Sequence, residues 1–238
     1  MVERGNFFFR YRNVLFPLAF VLALLVGNPE YPFGRPDVDT AFDLAGVVVA
    51  LLGEALRALT IGYEYIIRGG RNRQVYAETL VQGGVFSHCR NPLYLGNVLI
   101  VLGLALVVHS AAFYLIFIPF VLLAYASIVA AEEAYLRDKF GTEYDDYCRR
   151  VNRWWPRWAG FSRSVEGMRF NWGRLVVKEF NTAFVVAAAL PGLAIWSNYR
   201  VVGASGLPPT PYLIAGVLVW LSIYLAVRTL KKTGRLRG

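Results

Sequence analysis

Charge is scarce in this chain. Asp, Glu, Lys and Arg make up only 17% of the 238 residues, while 56% are hydrophobic and the mean hydropathy is +0.43. The apolar residues come in long blocks rather than amphipathic stripes, which excludes an ordinary soluble domain. Histidine and cysteine are rarer still, at two each. His88 stands beside Cys89 with only Cys148 as a remote companion, a set with no recognised ligand spacing, so no metal site is expected. There is no Ser/His/Asp set for nucleophilic catalysis, no Walker-type phosphate loop and no internal repeat.

What is present are apolar runs. A helix needs roughly 20 mostly apolar residues to cross about 30 Å of hydrocarbon. Six blocks approach that length, at 14–27, 40–61, 93–109, 111–131, 180–199 and 212–227. The first is short and follows arginines, as a signal peptide would. However, Asn28-Pro29-Glu30-Tyr31-Pro32 lacks the small-x-small cleavage pattern, so the block is expected to remain as a span, extended through Phe7 to Phe9 or Tyr31 to Phe33. The fold class expected is all-α: a polytopic membrane helix bundle with about six transmembrane helices.

A net charge of +9 would suggest nucleic-acid binding in a soluble protein. Placing the charges on the spans removes that reading. With a cytoplasmic N-terminus, every Lys and Arg except Arg35, Arg57 and Arg200 falls on the inner side. These are Arg4, Arg10 and Arg12, then Arg68, Arg71, Arg73 and Arg90, then the run from Arg137 to Lys178 and the group from Arg228 onward. The positive-inside rule therefore puts both termini in the cytoplasm and explains the basic balance with no nucleic-acid partner. Cys89 and Cys148 then face a reducing compartment, and no disulfide is expected.

The polar sequence concentrates in two inner stretches, 68–92 and 132–178. In the second, the fourth span continues as helix to Gly141 and a short helix follows over 143–151. Next comes Arg153-Trp154-Trp155-Pro156-Arg157-Trp158. Indoles among arginines suit the headgroup zone, so this segment is expected to lie along the membrane surface and fold back over the helix ends as a cytoplasmic helical cap.

Three places carry candidate chemistry. Asn91 before Pro92 marks a helix start, with the Asn side chain as N-cap and Pro in the first turn. Arg90 beside it and Gly83-Gly84-Val85 upstream leave two readings open, a well-capped helix or an anion site. Glu132 and Glu133 sit together at a helix C-terminus, where they oppose the macrodipole and call for a cation, either nearby arginine or a ligand ammonium. Within the second span, Glu54 and Arg57 are three residues apart. They either pair with each other or present Arg57 to a cavity or a substrate anion.

Taken together, these residues resemble the isoprenylcysteine carboxyl methyltransferases and the related membrane phospholipid methyltransferases. The likeness covers residues 46–156. It rests on Gly53-x-x-Leu56-Arg57, Gly83-Gly84-Val85, Arg90-Asn91-Pro92-x-Tyr94-x-Gly96, Glu132-Glu133, Phe140-Gly141-x-Glu143-Tyr144-x-x-Tyr147 and Val151-x-Arg153-Trp154-x-Pro156. The resemblance implies an S-adenosylmethionine site at the cytoplasmic face and a lipid or lipid-modified substrate, carboxylate or amine, arriving from the bilayer. By position it implies cofactor binding by Gly83, Gly84, Val85, Arg90, Asn91, Pro92, Tyr94, Glu132, Glu133, Tyr144 and Tyr147, with Arg57, Arg153 and Glu133 as catalytic candidates. The family's usual histidine is Asn91 here.

The methyltransferase core is expected over residues 1–178, with an additional two-helix hairpin and basic tail over 179–238. Asn181 and Ser222 in that hairpin read as ordinary helix contacts. Two alternatives remain. One is an NADPH-dependent membrane reductase of the sterol reductase type, with Arg149, Arg150 and Arg153 for the 2'-phosphate. The other is a non-enzymatic transporter or scaffold, disfavoured because no second polar helix accompanies Glu54 and Arg57. The topology is checked by thiol labelling in a background lacking Cys89 and Cys148. Cysteines at Gly70 and Arg163 are expected to react from the cytoplasmic side only, and one at Gly206 from the outside only.

Overall fold

The computed structural model describes residues 1–64 and 74–233. Arg68, Arg71, Arg73, Arg235 and Arg237, which enter the charge distribution, and the labelling position Gly70 lie outside the described residues. The elements are α1 (Val2–Val26), α2 (Pro36–Tyr63), α3 (Pro92–Val108), α4 (Ile118–Phe140) prolonged at its start by a π-turn (Phe113–Phe117), α5 (Thr142–Arg150), α6 (Phe161–Ser164), α7 (Trp172–Val202) and α8 (Thr210–Lys232). The described residues form no β-sheet, so the all-α expectation holds.

Five helices are long and apolar enough to cross a membrane: α1, α2, α4 with its π-turn, α7 and α8. The sixth, α3, has 17 residues, or about 25 Å, and is shorter than the hydrocarbon thickness. Two boundaries differ from the sequence expectation. α1 begins at Val2 and so carries Arg4, Arg10 and Arg12 within the helix, while Tyr31 to Phe33 lie beyond it. α7 begins at Trp172, so Lys178 and Glu179 belong to it and the expected division at 178/179 falls inside a continuous helix.

Small residues set the closest packing. α2 and α3 are antiparallel neighbours that meet at two glycine pairs. A Cβ on Gly53 would lie 2.6 Å from the Gly96 carbonyl oxygen, and one on Gly46 would lie 2.6 Å from that of Gly103. Helices can approach so closely only where neither carries a side chain, the device membrane helices use in place of a hydrophobic driving force. α1 lies on α4 in the same manner, with Gly5 against Ser127 and Ala131. Arg174 of α7 donates to the carbonyls of Ile61 and Gly62, both at 2.7 Å, and so caps the C-terminus of α2. Away from the cap, Ala23, Ala50, Leu104, Val108, Phe113, Phe117 and Leu190 join α1, α2, α3, α4 and α7 in one apolar core. α8 meets α7 through Phe184, Trp220 and Tyr224, with the Phe184 and Trp220 ring centroids 4.0 Å apart, and buries none of its own residues.

The cap follows the sequence expectation closely. α4 ends at Phe140, where Gly141 takes a φ of +52° that favours glycine. α5 then returns, burying Tyr144 and Tyr147 against Leu136, Phe140 and Val151. The segment after it folds back over the start of α3: Arg90 N donates to Asn152 O at 2.9 Å, and Arg157 N to His88 O at 3.1 Å. Trp155 and Trp158 stay exposed.

The glycine contacts give a direct test. Gly53→Leu is expected to destabilise the purified protein by about 3 kcal/mol, the upper end of ordinary overpacking, seen as a lower melting temperature in detergent. Gly216→Leu, on α8 with open space around it, is expected to melt like the parent.

Candidate functional site

The start of α3 and the end of α4 face one another across a cavity of about 1230 Å³. Its polar end is formed by Arg90, Asn91, Pro92, Tyr94, Glu132, Glu133, Tyr144 and Tyr147, roofed by residues 75–81. It then runs between helices, past Phe16 and Phe20 of α1, Ile100 and Leu104 of α3, Phe117 of the π-turn, and Val185 and Val186 of α7. Polar and apolar halves thus belong to one hollow.

The two glutamates have different surroundings. Glu133, 4% exposed, is held by Arg153 through both carboxylate oxygens and by Arg90 at 3.2 Å. Its Oε1 also receives the Asn91 amide at 3.5 Å. A carboxylate this buried is stable only with such partners. Glu132 accepts the Tyr94 hydroxyl at 2.6 Å, and among the described residues it forms no ion pair. The cavity therefore meets one neutralised carboxylate and one that still lacks a cation in contact.

Asn91 departs from its expected role. It occupies the N-cap position, but its side chain makes no capping bond. The amide instead turns toward Glu133 and donates to the Arg153 carbonyl at 3.2 Å. Pro92 at the first helical position fits as anticipated, since no N–H is needed there. Arg90 Nη1 reaches Cys148 O at 3.3 Å, while its Nε is buried with no acceptor.

Gly83, Gly84 and Val85 do not line the cavity. Gly84 has a φ of +51°, and a Cβ on it would sit 3.2 Å from the Glu64 side chain; one on Gly83 would collide with the Glu64 carboxylate. Val85 is fully buried. The glycines thus let a tight turn pack beside the end of α2, and that turn offers Phe86 O to the Tyr147 hydroxyl at 2.7 Å. Burial pushes the Tyr144 and Tyr147 phenols well above their ordinary range, so both remain protonated donors at any physiological pH. Burial likewise pushes the Cys89 thiol up to about 11. His88 is engaged by the Arg157 carbonyl and, at 2.9 Å, by the Ser164 hydroxyl, so it anchors the cap.

Arg57 lies deeper, 3% exposed, on the cavity wall. It forms an ion pair with Glu179 of α7, 122 residues away, with Nε to Oε1 at 2.5 Å. Asn97 accepts from Nη1, and Thr182 Oγ1 lies 3.3 Å from Nη2. The charge-balancing partner is therefore an acid on another helix. The expectation that no second polar helix accompanies Arg57 is overturned: α7 supplies Glu179, Thr182 and the cavity-lining Asn181. Sequence reading missed Glu179 because the span was begun one residue later, at 180. The available signal was Arg57 itself, an intramembrane cation in search of an acid. Arg153 lies outside the cavity lining and acts through Glu133, whose carboxylate raises the guanidinium's already high affinity for its proton.

Comparison with known proteins bears on this arrangement. The phospholipid methyltransferase family model matches residues 45–143, in agreement with the resemblance carried by the motifs. That stretch holds α2 from residue 45 onward, α3 and α4, but not α1 or α7. The chain is 28% identical over 141 residues to the nickel-cobalt-cadmium resistance protein NccN of Alcaligenes xylosoxydans, covering 59% of this chain and 61% of that one. It is 32% identical over 114 residues to the cobalt-zinc-cadmium resistance protein CzcN of Cupriavidus metallidurans, covering 48% and 47%. The matched region thus spans about half to three fifths of these relatives. No solved structure matches. The five apolar helices, together with the match to the phospholipid methyltransferase model over residues 45–143, mark an integral membrane protein.

The unequal glutamates predict unequal variants. Glu133→Gln, which strands Arg90 and half-exposed Arg153, is expected to cost on the order of 2 kcal/mol and lower the melting temperature. Glu132→Gln keeps an oxygen for Tyr94 and is expected to melt within about 2 °C of the parent. The reverse order in thermal melts would show that the two carboxylates have exchanged roles.

Proposed function

We propose that this protein is an integral membrane methyltransferase that uses S-adenosylmethionine to methylate a lipid or lipid-modified acceptor, with its site at the cytoplasmic end of the bundle. The observation that carries the reading is the single hollow in which an acid- and base-lined end opens into an apolar channel between helices. Its volume exceeds the roughly 300–1,000 Å³ of a pocket for one small ligand, which leaves room for a cofactor and an acceptor together.

The donor set fits an amino-acid-bearing cofactor. Arg90 Nε, buried without an acceptor, suits a carboxylate, and Glu132, without a cation in contact, suits an ammonium. Tyr144 and Tyr147 close this end from the cap. S-adenosylmethionine supplies an electrophilic methyl group, and its transfer is an in-line displacement that needs alignment and exclusion of water more than acid-base assistance. Accordingly, the residues here orient and enclose. Arg57 contributes structure to the channel wall, since Glu179, Asn97 and Thr182 already take its donors.

The reductase alternative finds little support in the side chains meant for it. Arg149 pairs with Asp146, Arg150 bonds Gln82, and both are exposed and off the cavity lining. Against transport, the channel beyond Arg57 is lined mainly by apolar residues, which offers no continuous polar path. The two relatives are named for resistance to metals. Among the described residues no three His, Cys, Asp or Glu come together, so we place any link to metals in the physiological setting, for instance an altered membrane lipid, rather than in this site.

Titration of the purified protein with S-adenosylhomocysteine and with NADPH tests the proposal. Tight binding of the former is expected, weakened about tenfold or more in Glu132→Gln, a loss of at least 1.4 kcal/mol. Binding of the dinucleotide alone would end the methyltransferase reading.

A further inference from the structure

The cavity is walled in part by α1, which lies outside the family match. Its cavity-facing residues are Phe9, Arg12, Asn13, Phe16, Pro17 and Phe20, spaced as one face of a helix. That face is aromatic and apolar apart from Arg12 and Asn13, and Arg12 is its one charge.

The arginines on the cavity wall are not equivalent. Arg57 is paired with Glu179 and Arg90 with Glu133. Arg12 has neither an ion pair nor a hydrogen bond among the described residues. Its guanidinium is held over the ring of buried Phe9, 4.1 Å from the centroid, by a cation–π contact that leaves its N–H donors unused. It lines the hollow together with Tyr94, Tyr125 and Glu132. Exposed Arg10, by contrast, lies over exposed Tyr11 and does not line the hollow. Arg12 is turned inward.

Resting on the methyltransferase reading, we infer that Arg12 selects the acceptor by binding an anionic group, carboxylate or phosphate, at the head of an amphiphile whose tail occupies the channel. The guanidinium offers a planar pair of donors that matches either oxyanion. Phe16 and Phe20, one and two turns further along α1, line the route the tail takes. The acceptor is thereby an anionic or zwitterionic lipid, and a neutral or purely cationic one is disfavoured.

The test uses the full chain in phosphatidylcholine nanodiscs at about pH 8, where a carboxylate is ionised. Binding is measured for dodecanoate, dodecyl phosphate, dodecanol, dodecyltrimethylammonium and inorganic phosphate. Parent protein is expected to prefer dodecanoate or dodecyl phosphate to dodecanol by about tenfold, as one charge-assisted hydrogen bond would give. Whichever of the two anions binds tighter identifies the head. In Arg12→Gln the preference is expected to shrink to about twofold or less, with Arg12→Lys restoring part of it. Equal binding of dodecanol, tighter binding of the ammonium, or inorganic phosphate binding as well as dodecyl phosphate would each overturn the inference. These outcomes are read on the parent protein and so stand even if Arg12→Gln does not fold. A preference that survives in folded Arg12→Gln would overturn it as well. S-adenosylhomocysteine binding, measured in parallel, separates the two readings. Its absence alongside an Arg12-dependent anion preference sinks the methyltransferase and keeps the anion site, and the opposite result does the reverse.

Discussion

A guanidinium within the apolar part of a bilayer must be neutralised by the protein around it, and in this chain that demand is met by Glu179. An unpaired charge at that depth costs about 2.5–3.5 kcal/mol even on the lenient insertion scale, so Arg57 and Glu179 each require the other. Their contact ties α7 to α2 beside the point where Gly53 and Gly96 let α2 and α3 touch. Arg174 adds a second tie at the end of α2. With α7 fixed in this way, Thr182, Val185 and Val186 become a wall of the cavity. Without it, the channel would stand open to lipid along that side.

The polar end of the cavity is organised around a second buried acid. Glu133 gathers Arg90 from the start of α3, Arg153 from the cap and the amide of Asn91, three groups from two separate stretches of chain. The cap is therefore docked by electrostatics as well as by the aromatic packing of Tyr144 and Tyr147. This arrangement frees Glu132. Adjacent on the same helix and pointing to a different neighbour, it lies on the cavity wall, where among the described residues the Tyr94 hydroxyl is its hydrogen-bond partner. One acid holds the two segments together while the other lines the hollow between them.

Much of the fold could be read from local sequence, because the property that makes a membrane helix is a run of apolar residues long enough to span the hydrocarbon. The six helical regions, the stop at Gly141, the short α5 and the fold-back of the tryptophan segment all depend on residues near one another in the chain. The pairing of Arg90-Asn91-Pro92 with Glu132-Glu133 also followed, since complementary charges at two helix ends on one side of a membrane have few other partners. Helix ends were less legible. α1 and α7 extend past their apolar blocks through Arg12 and Glu179, residues that count against a span by composition but are tolerated because they face inward.

Sequence by itself thus determined the main apolar helices, the layout of the cap and the charged residues around it. Only the tertiary structure decided which of those charges neutralise one another. It matched Arg57 to Glu179 rather than to its near neighbour Glu54, set Gly83 and Gly84 against Glu64, and turned Arg12 of α1 into the hollow. The physical reason is that such pairings depend on which helix faces meet. That is set by close packing at glycines and by the balance of buried charge over the whole bundle, quantities that no stretch of neighbouring residues contains.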